Sequence, residues 1–122
     1  MINVDTNVLL AFVYGRSRRD EQRLLEADAW GISDAVLWEI GLLERDERIQ
    51  PLLGTPGFQE LLDGSTIFPV DVRIAQALRR LDFRSDPADL VIAATSIVYD
   101  MPLLTRDDLL LKSKVVPLAL DY

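Results

Sequence analysis

Two residue types are absent from this chain of 122 residues: cysteine and histidine. Without cysteine there is no disulfide, no thiolate metal site and no thiol nucleophile. Without histidine the commonest general base and the commonest metal ligand are gone as well. Any hydrolytic chemistry must then run on carboxylates, Lys, Tyr, Ser or Thr. No run of 18 uninterrupted apolar residues occurs, so the sequence predicts no membrane span. The opening residues, MINVDTNVLL, put an acid where a signal peptide needs a cationic start and an unbroken apolar stretch, which predicts a cytoplasmic protein. Positive charge is scarce: 13 Lys and Arg stand against 20 Asp and Glu, a net charge of −7. That excludes nucleic-acid binding through a bulk positive field. It leaves open acids gathered around a metal ion, because a bound cation inverts the local sign.

What is present is a globular composition, 49% hydrophobic, which predicts one domain over residues 1–122 with a real core. Short apolar runs alternate with helical patterns. Strands are expected at residues 2–4, 30–32, 66–70 and 101–105, with a last one at 115–120. Helices are expected at 8–14, 16–27, 34–49, 72–81 and 87–99, with a short one at 58–62 and another after Thr105. Leu24, Leu25 and Ala29 should form the inner face of the second helix. Strands alternating with helices predict an α/β fold with a mostly parallel sheet covered on both faces. Right-handed crossovers then align the carboxyl ends of the strands along one edge, where such sheets place ligands.

Four acids stand in odd places. Asp5 ends the first strand, although it could equally cap the helix after it. Glu39 shares a helix face with Val36 and Leu43, where a lone carboxylate is costly unless it pairs with an Arg or binds a metal. Asp89 follows Asp86-Pro87, with Asp86 as N-cap and Pro87 at the first helical position. Asp107 lies between Thr105, expected to cap the last helix, and Asp108 at the third position of that helix, so Asp107 is left without a capping role. We expect Asp5, Glu39, Asp89 and Asp107 to meet in one cleft and hold a divalent metal. Arg16, Arg18, Arg19 and Arg23 form the densest basic patch, with Arg79, Arg80 and Arg84 as a second group. Either could contact an anionic ligand, or be a solvated face balanced by Asp20, Glu21 and Glu26.

The segments VDTNVLL, ISDAVLWEIGLL, DPADLVIAATS and PLLTRDD, in this order and spacing, resemble the PIN domain, most of all the VapC-type toxin nucleases of toxin–antitoxin pairs. The resemblance covers nearly the whole chain. It implies a three-layer α/β/α fold, Mg2+- or Mn2+-dependent endoribonuclease activity and inhibition by a cognate VapB-type antitoxin. The family's four acids fall on Asp5, Glu39, Asp89 and Asp107. Its polar residue after the first acid falls on Thr6, and its hydroxyl residue ahead of the fourth on Thr105; both are expected to orient carboxylates. A homodimer is expected. The antitoxin is expected to lay an apolar helix along residues 18–29 and the Leu42-Leu43 end of the Glu39 helix, placing an Arg or Lys among the carboxylates. Departures touch the surroundings: Arg84 and Leu90 stand where relatives often have His and Arg, and Gly41-Leu42-Leu43-Glu44 where they often carry a basic residue.

Three rivals fit less well. A phosphoacceptor receiver domain needs an acid pair after its first strand and a late lysine, where this chain has Thr6-Asn7 and Arg106. A catalytically inactive PIN scaffold would not need four intact acids. A flap-type deoxyribonuclease needs further acids and helical insertions.

Overall fold

The structure, a computed structural model, describes residues 1–120. Among them a four-stranded, wholly parallel sheet runs through the molecule. Its strands are β1 (Ile2–Val4), β2 (Trp30–Ser33), β3 (Thr66–Phe68) and β4 (Leu103–Leu104), in the order β3-β2-β1-β4. Helices cover it: α1 (Thr6–Val13), α2 (Arg19–Ala27), α3 (Asp34–Arg45), α4 (Pro56–Asp63), α5 (Val72–Ala77), α6 (Pro87–Tyr99) and α7 (Asp108–Leu111). This is the expected α/β fold with its parallel sheet. No helix among the described residues is long and apolar enough to cross a membrane.

The strand order fixes where a ligand can sit. From β1 the chain steps to β2 and β3 on one side, then crosses to β4 on the other side of β1. The crevice beyond the carboxyl ends of β1 and β4 is therefore the switch point of the sheet. Asp5 and Thr105 follow those two strands directly. β1 is buried on both faces, as a central parallel strand must be. Its middle residue is nevertheless Asn3, whose side-chain amide donates to the Ile92 carbonyl (3.0 Å) and the Ser96 hydroxyl (2.9 Å). These bonds pin α6, and with it Asp89 one turn before Ile92, to β1. Gly31 is required in β2: a Cβ there would lie 2.5 Å from the Thr66 carbonyl oxygen of β3.

Helix α6 is buried on two flanks. Ala88, Ile92 and Ala93 join the main core, while Ala94 packs with Ile74 and Ala77 of α5. Its apolar sequence matches that position. The boundaries differ from expectation in several places. Helix α1 begins at Thr6 because Asp5 is its N-cap. Helix α3 ends at Arg45 and β3 at Phe68. Helix α5 gives way to a 3-10 turn at Leu78–Arg80, which leaves Leu78 exposed. Ala29 lies beyond α2 and is exposed, so the inner face of α2 is Glu21, Leu24 and Leu25. No strand forms at 115–120: Leu118 makes a single parallel bridge to Leu103. Pro117 has no N–H with which to continue a ladder, and β4 offers only two residues.

Candidate metal centre

Asp5 is almost fully buried, and both of its oxygens are engaged. Oδ1 accepts the Thr6 backbone N–H (2.8 Å) and Oδ2 accepts the Thr105 hydroxyl (2.6 Å). Thr105 in turn accepts the Asp107 backbone N–H at 3.0 Å. Glu39, half-buried on α3, accepts the Thr6 hydroxyl. No ion pair involving Glu39 occurs among the described residues, so the partner Arg that could have explained it is not there. Asp89, in the first turn of α6, accepts the Ser85 hydroxyl at 2.6 Å. The ligand atoms of Asp5, Glu39 and Asp89 lie within 4.8 Å of one another.

Asp107 is placed differently from the expectation. It is the N-cap of α7, with Oδ1 accepting from Leu109 N (2.8 Å) and Leu110 N (3.3 Å). Thr105, expected to be that cap, spends its proton on Asp5 instead. Asp108 is the first residue of α7 rather than its third. Asp107 is outside the three-carboxylate group, yet close enough for its charge to act on Asp5 and Asp89. Asp86 occupies the N-cap position of α6 but makes no side-chain capping bond. Its charge acts on Glu39 and Asp89 instead.

The electrostatics follow from this crowding. Burial pushes the Asp5 carboxyl up from 3.8 to about 6; the bonds from Thr105 and Thr6 oppose the rise, and the charges of Asp89 and Asp107 add to it. Burial also raises Glu39, with Thr6 opposing and Asp5, Asp89 and Asp86 adding. Asp89 is raised by burial, against its Ser85 bond, and further by Asp107 and Asp86. The donor set is all oxygen, anionic and convergent, which is what a hard divalent cation takes. The three carboxylates can hold such an ion, and one would remove the repulsion among them.

A pH dependence of stability follows for the metal-free protein. Between pH 4 and 6 the folded chain keeps a proton on Asp5 that the unfolded chain has released, so raising the pH through this window costs stability. The loss is about 3 kcal/mol for a buried group shifted this far. Glu39 and Asp89 act in the same direction. Urea unfolding in EDTA should show stability falling from pH 4 and levelling above pH 6. A flat or rising profile there would mean that the carboxylates are not buried together.

Of the basic residues singled out in the sequence, Arg16, Arg18, Arg19, Arg23 and Arg84 are all exposed. Leu25 and Leu24 belong to the core or pack on it, so the expected partner groove over 18–29 is half internal. Leu42 and Leu43 are half-buried. An open groove of about 630 Å³ lies instead between Tyr14, Arg16 and residues 47–51. A smaller hollow of about 290 Å³ shares Tyr14, Arg16 and Ile49 with it and reaches Asn7 and Arg106.

A family model described as the PIN domain matches residues 2–114. No curated protein matches the chain by sequence. Its fold is shared by solved structures, three of which follow. VapBC2 from Rickettsia felis, bound to a DNA fragment from its promoter, is 17% identical with a TM-score of 0.73 over 97% of each chain. A toxin–antitoxin complex from Klebsiella pneumoniae is 20% identical, TM-score 0.74, over 100% of this chain and 98% of that one. FitAcB from Neisseria gonorrhoeae is 21% identical, TM-score 0.66, over 90% of each.

Proposed function

The chain belongs to the PIN domain family, and from that premise we propose that it is a VapC-like toxin: a Mg2+- or Mn2+-dependent endoribonuclease that hydrolyses RNA phosphodiester bonds in the cytoplasm. The observation that carries this reading is the meeting of Asp5, Glu39 and Asp89 at the switch point of the sheet. When bound, the ion supplies positive charge to the scissile phosphate and acidifies water in its shell. The chain's own residues do the rest. Asp5 and Asp89 hold the ion directly or through water. Glu39 completes the set, and Asp107 orients the attacking water. Thr6 and Thr105 donate hydrogen bonds that fix the Glu39 and Asp5 oxygens facing the cleft. Ser85 does the same for Asp89. Arg16, Arg18, Arg19 and Arg84 offer charge to the RNA backbone around an acidic centre.

The proposed partners are a VapB-type antitoxin and a second copy of the chain. Two of the structural neighbours are toxin–antitoxin complexes, which supports the first. The groove from residues 47–51 to Arg106 is the candidate path for an antitoxin segment, since it ends at Asn7 and Arg106, within two residues of Asp5 and Asp107 in the chain. Exposed Trp38 and Val70 line a largely apolar groove of about 380 Å³, a candidate contact for the second copy.

Cleavage of RNA and of DNA of matched sequence, with Mg2+, Mn2+ or EDTA, tests the reading. RNA should be cut in either metal and left intact in EDTA, with DNA cut at least tenfold more slowly. Cleavage that survives EDTA would mean a different chemistry; preferential DNA cleavage would mean a different substrate.

A further inference from the structure

Among the described residues one charged side chain is completely buried outside the carboxylate group: Glu21, in the first turn of α2. Its sequence, RSRRDEQRLLEA, reads as a solvated charged helix, yet Glu21 turns inward. Arg106 meets it as a fork, with Nε donating to Oε2 at 2.7 Å and Nη2 to Oε1 at 2.5 Å. The Arg18 backbone N–H also donates to Oε1 (2.9 Å), and Arg106 Nη2 reaches the Arg16 carbonyl at 3.3 Å. The α1–α2 loop is thereby stitched to the loop after β4.

That second loop is Thr105-Arg106-Asp107. Thr105 holds an Asp5 oxygen, and Asp107 hangs from the Thr105 hydroxyl while capping α7. The elements on either side are short: β4 has two residues and α7 has four, too short a helix to hold its own shape without tertiary contacts. A buried ion pair is a poor source of stability, since apolar residues of similar volume often do as well or better. What a bidentate fork adds is direction. We propose that Arg106, locked by Glu21, is a positioning residue that sets the Thr105 hydroxyl and the Asp107 carboxylate against the metal centre. This rests on the reading of that centre as a metal-dependent nuclease site.

Glu21→Leu combined with Arg106→Met removes both charges together, and Arg106→Lys keeps the charge but not the fork. Amide hydrogen exchange at Asp107 and Leu109 reads the loop without metal or RNA, calorimetry reads Mn2+ affinity, and steady-state cleavage separates kcat from KM. The double variant should fold cooperatively and exchange both amides roughly tenfold faster. It should bind Mn2+ roughly 10–100-fold more weakly and lose kcat by a similar factor, with KM for RNA unchanged. Arg106→Lys should share the faster exchange and weaker Mn2+ binding. A double variant that does not fold makes the pair merely structural and overturns the proposal. So does one that folds with parental exchange at the two amides. Parental behaviour in Arg106→Lys would reduce the role to charge. If the parent itself neither binds Mn2+ nor cuts RNA, the nuclease reading fails, while the exchange rates still decide whether the fork positions the loop.

Discussion

Asp5→Asn is expected to abolish cleavage and, in the metal-free protein at pH 7, to stabilise the fold. The carboxylate sits in a buried site, with its own burial and the charges of Asp89 and Asp107 all opposing ionisation. Asparagine keeps the shape and one acceptor for the Thr6 N–H, and the Thr105 hydroxyl can rotate to accept from its amide. What disappears is a buried charge, together with its repulsion of the neighbouring acids. Urea unfolding in EDTA should show a gain of about 1–3 kcal/mol at pH 7 and a flatter profile from pH 4 to 6. Cleavage should drop by roughly 100–1000-fold, because a group holding the metal against developing charge has gone. A variant that cuts RNA at the parental rate would remove Asp5 from the site. One that is clearly less stable would make Asp5 a structural cap and nothing more.

The convergence of three of the four acids was legible in the sequence. A lone acid on an apolar helix face has no cheap structural explanation, an acid at a strand end can also be a cap, as Asp5 is, and the carboxylates of Asp5, Glu39 and Asp89 lie within 4.8 Å of one another. The parallel sheet was legible for a related reason: apolar runs of three to five residues alternating with helical spacing have few other solutions. What remained illegible depended on competition or on distance. Thr105 and Asp107 are both good N-caps, and local sequence cannot choose between them. The choice is made by Asp5, a hundred residues away, which takes the Thr105 hydroxyl and leaves the cap to Asp107. Glu21 reads as one acid among many until Arg106 is seen beside it. Ser85 and Asn3 gave weaker signals still: a serine in a loop, and a polar residue in a strand too short to show alternation. The missing last strand is a matter of Pro117, whose lack of an N–H was visible but whose pairing partner was not.

Glu39→Gln, set beside Asp107→Asn, separates the roles of the two outer acids. Glu39 is half-buried, its one hydrogen bond comes from the Thr6 hydroxyl, and it has no ion pair to lose among the described residues. Glutamine preserves that acceptor and removes a charge that burial already disfavours. Stability in EDTA should therefore stay within about 1 kcal/mol of the parent or rise slightly. Cleavage should fall by roughly 100-fold, and Mn2+ affinity should fall with it, since one of three convergent oxygen donors has lost its charge. Asp107 works at one remove. Its Oδ1 is committed to two backbone N–H groups of α7, and asparagine caps a helix about as well as aspartate. Asp107→Asn should keep the fold and most of the Mn2+ affinity, and lose activity through the orientation of water. Calorimetric titration of both variants with Mn2+ decides the matter. Equal loss of affinity in the two would place Asp107 in the metal shell beside Glu39. Full retention of cleavage by Glu39→Gln would take Glu39 out of the centre and leave its place on an apolar helix face as a packing accident.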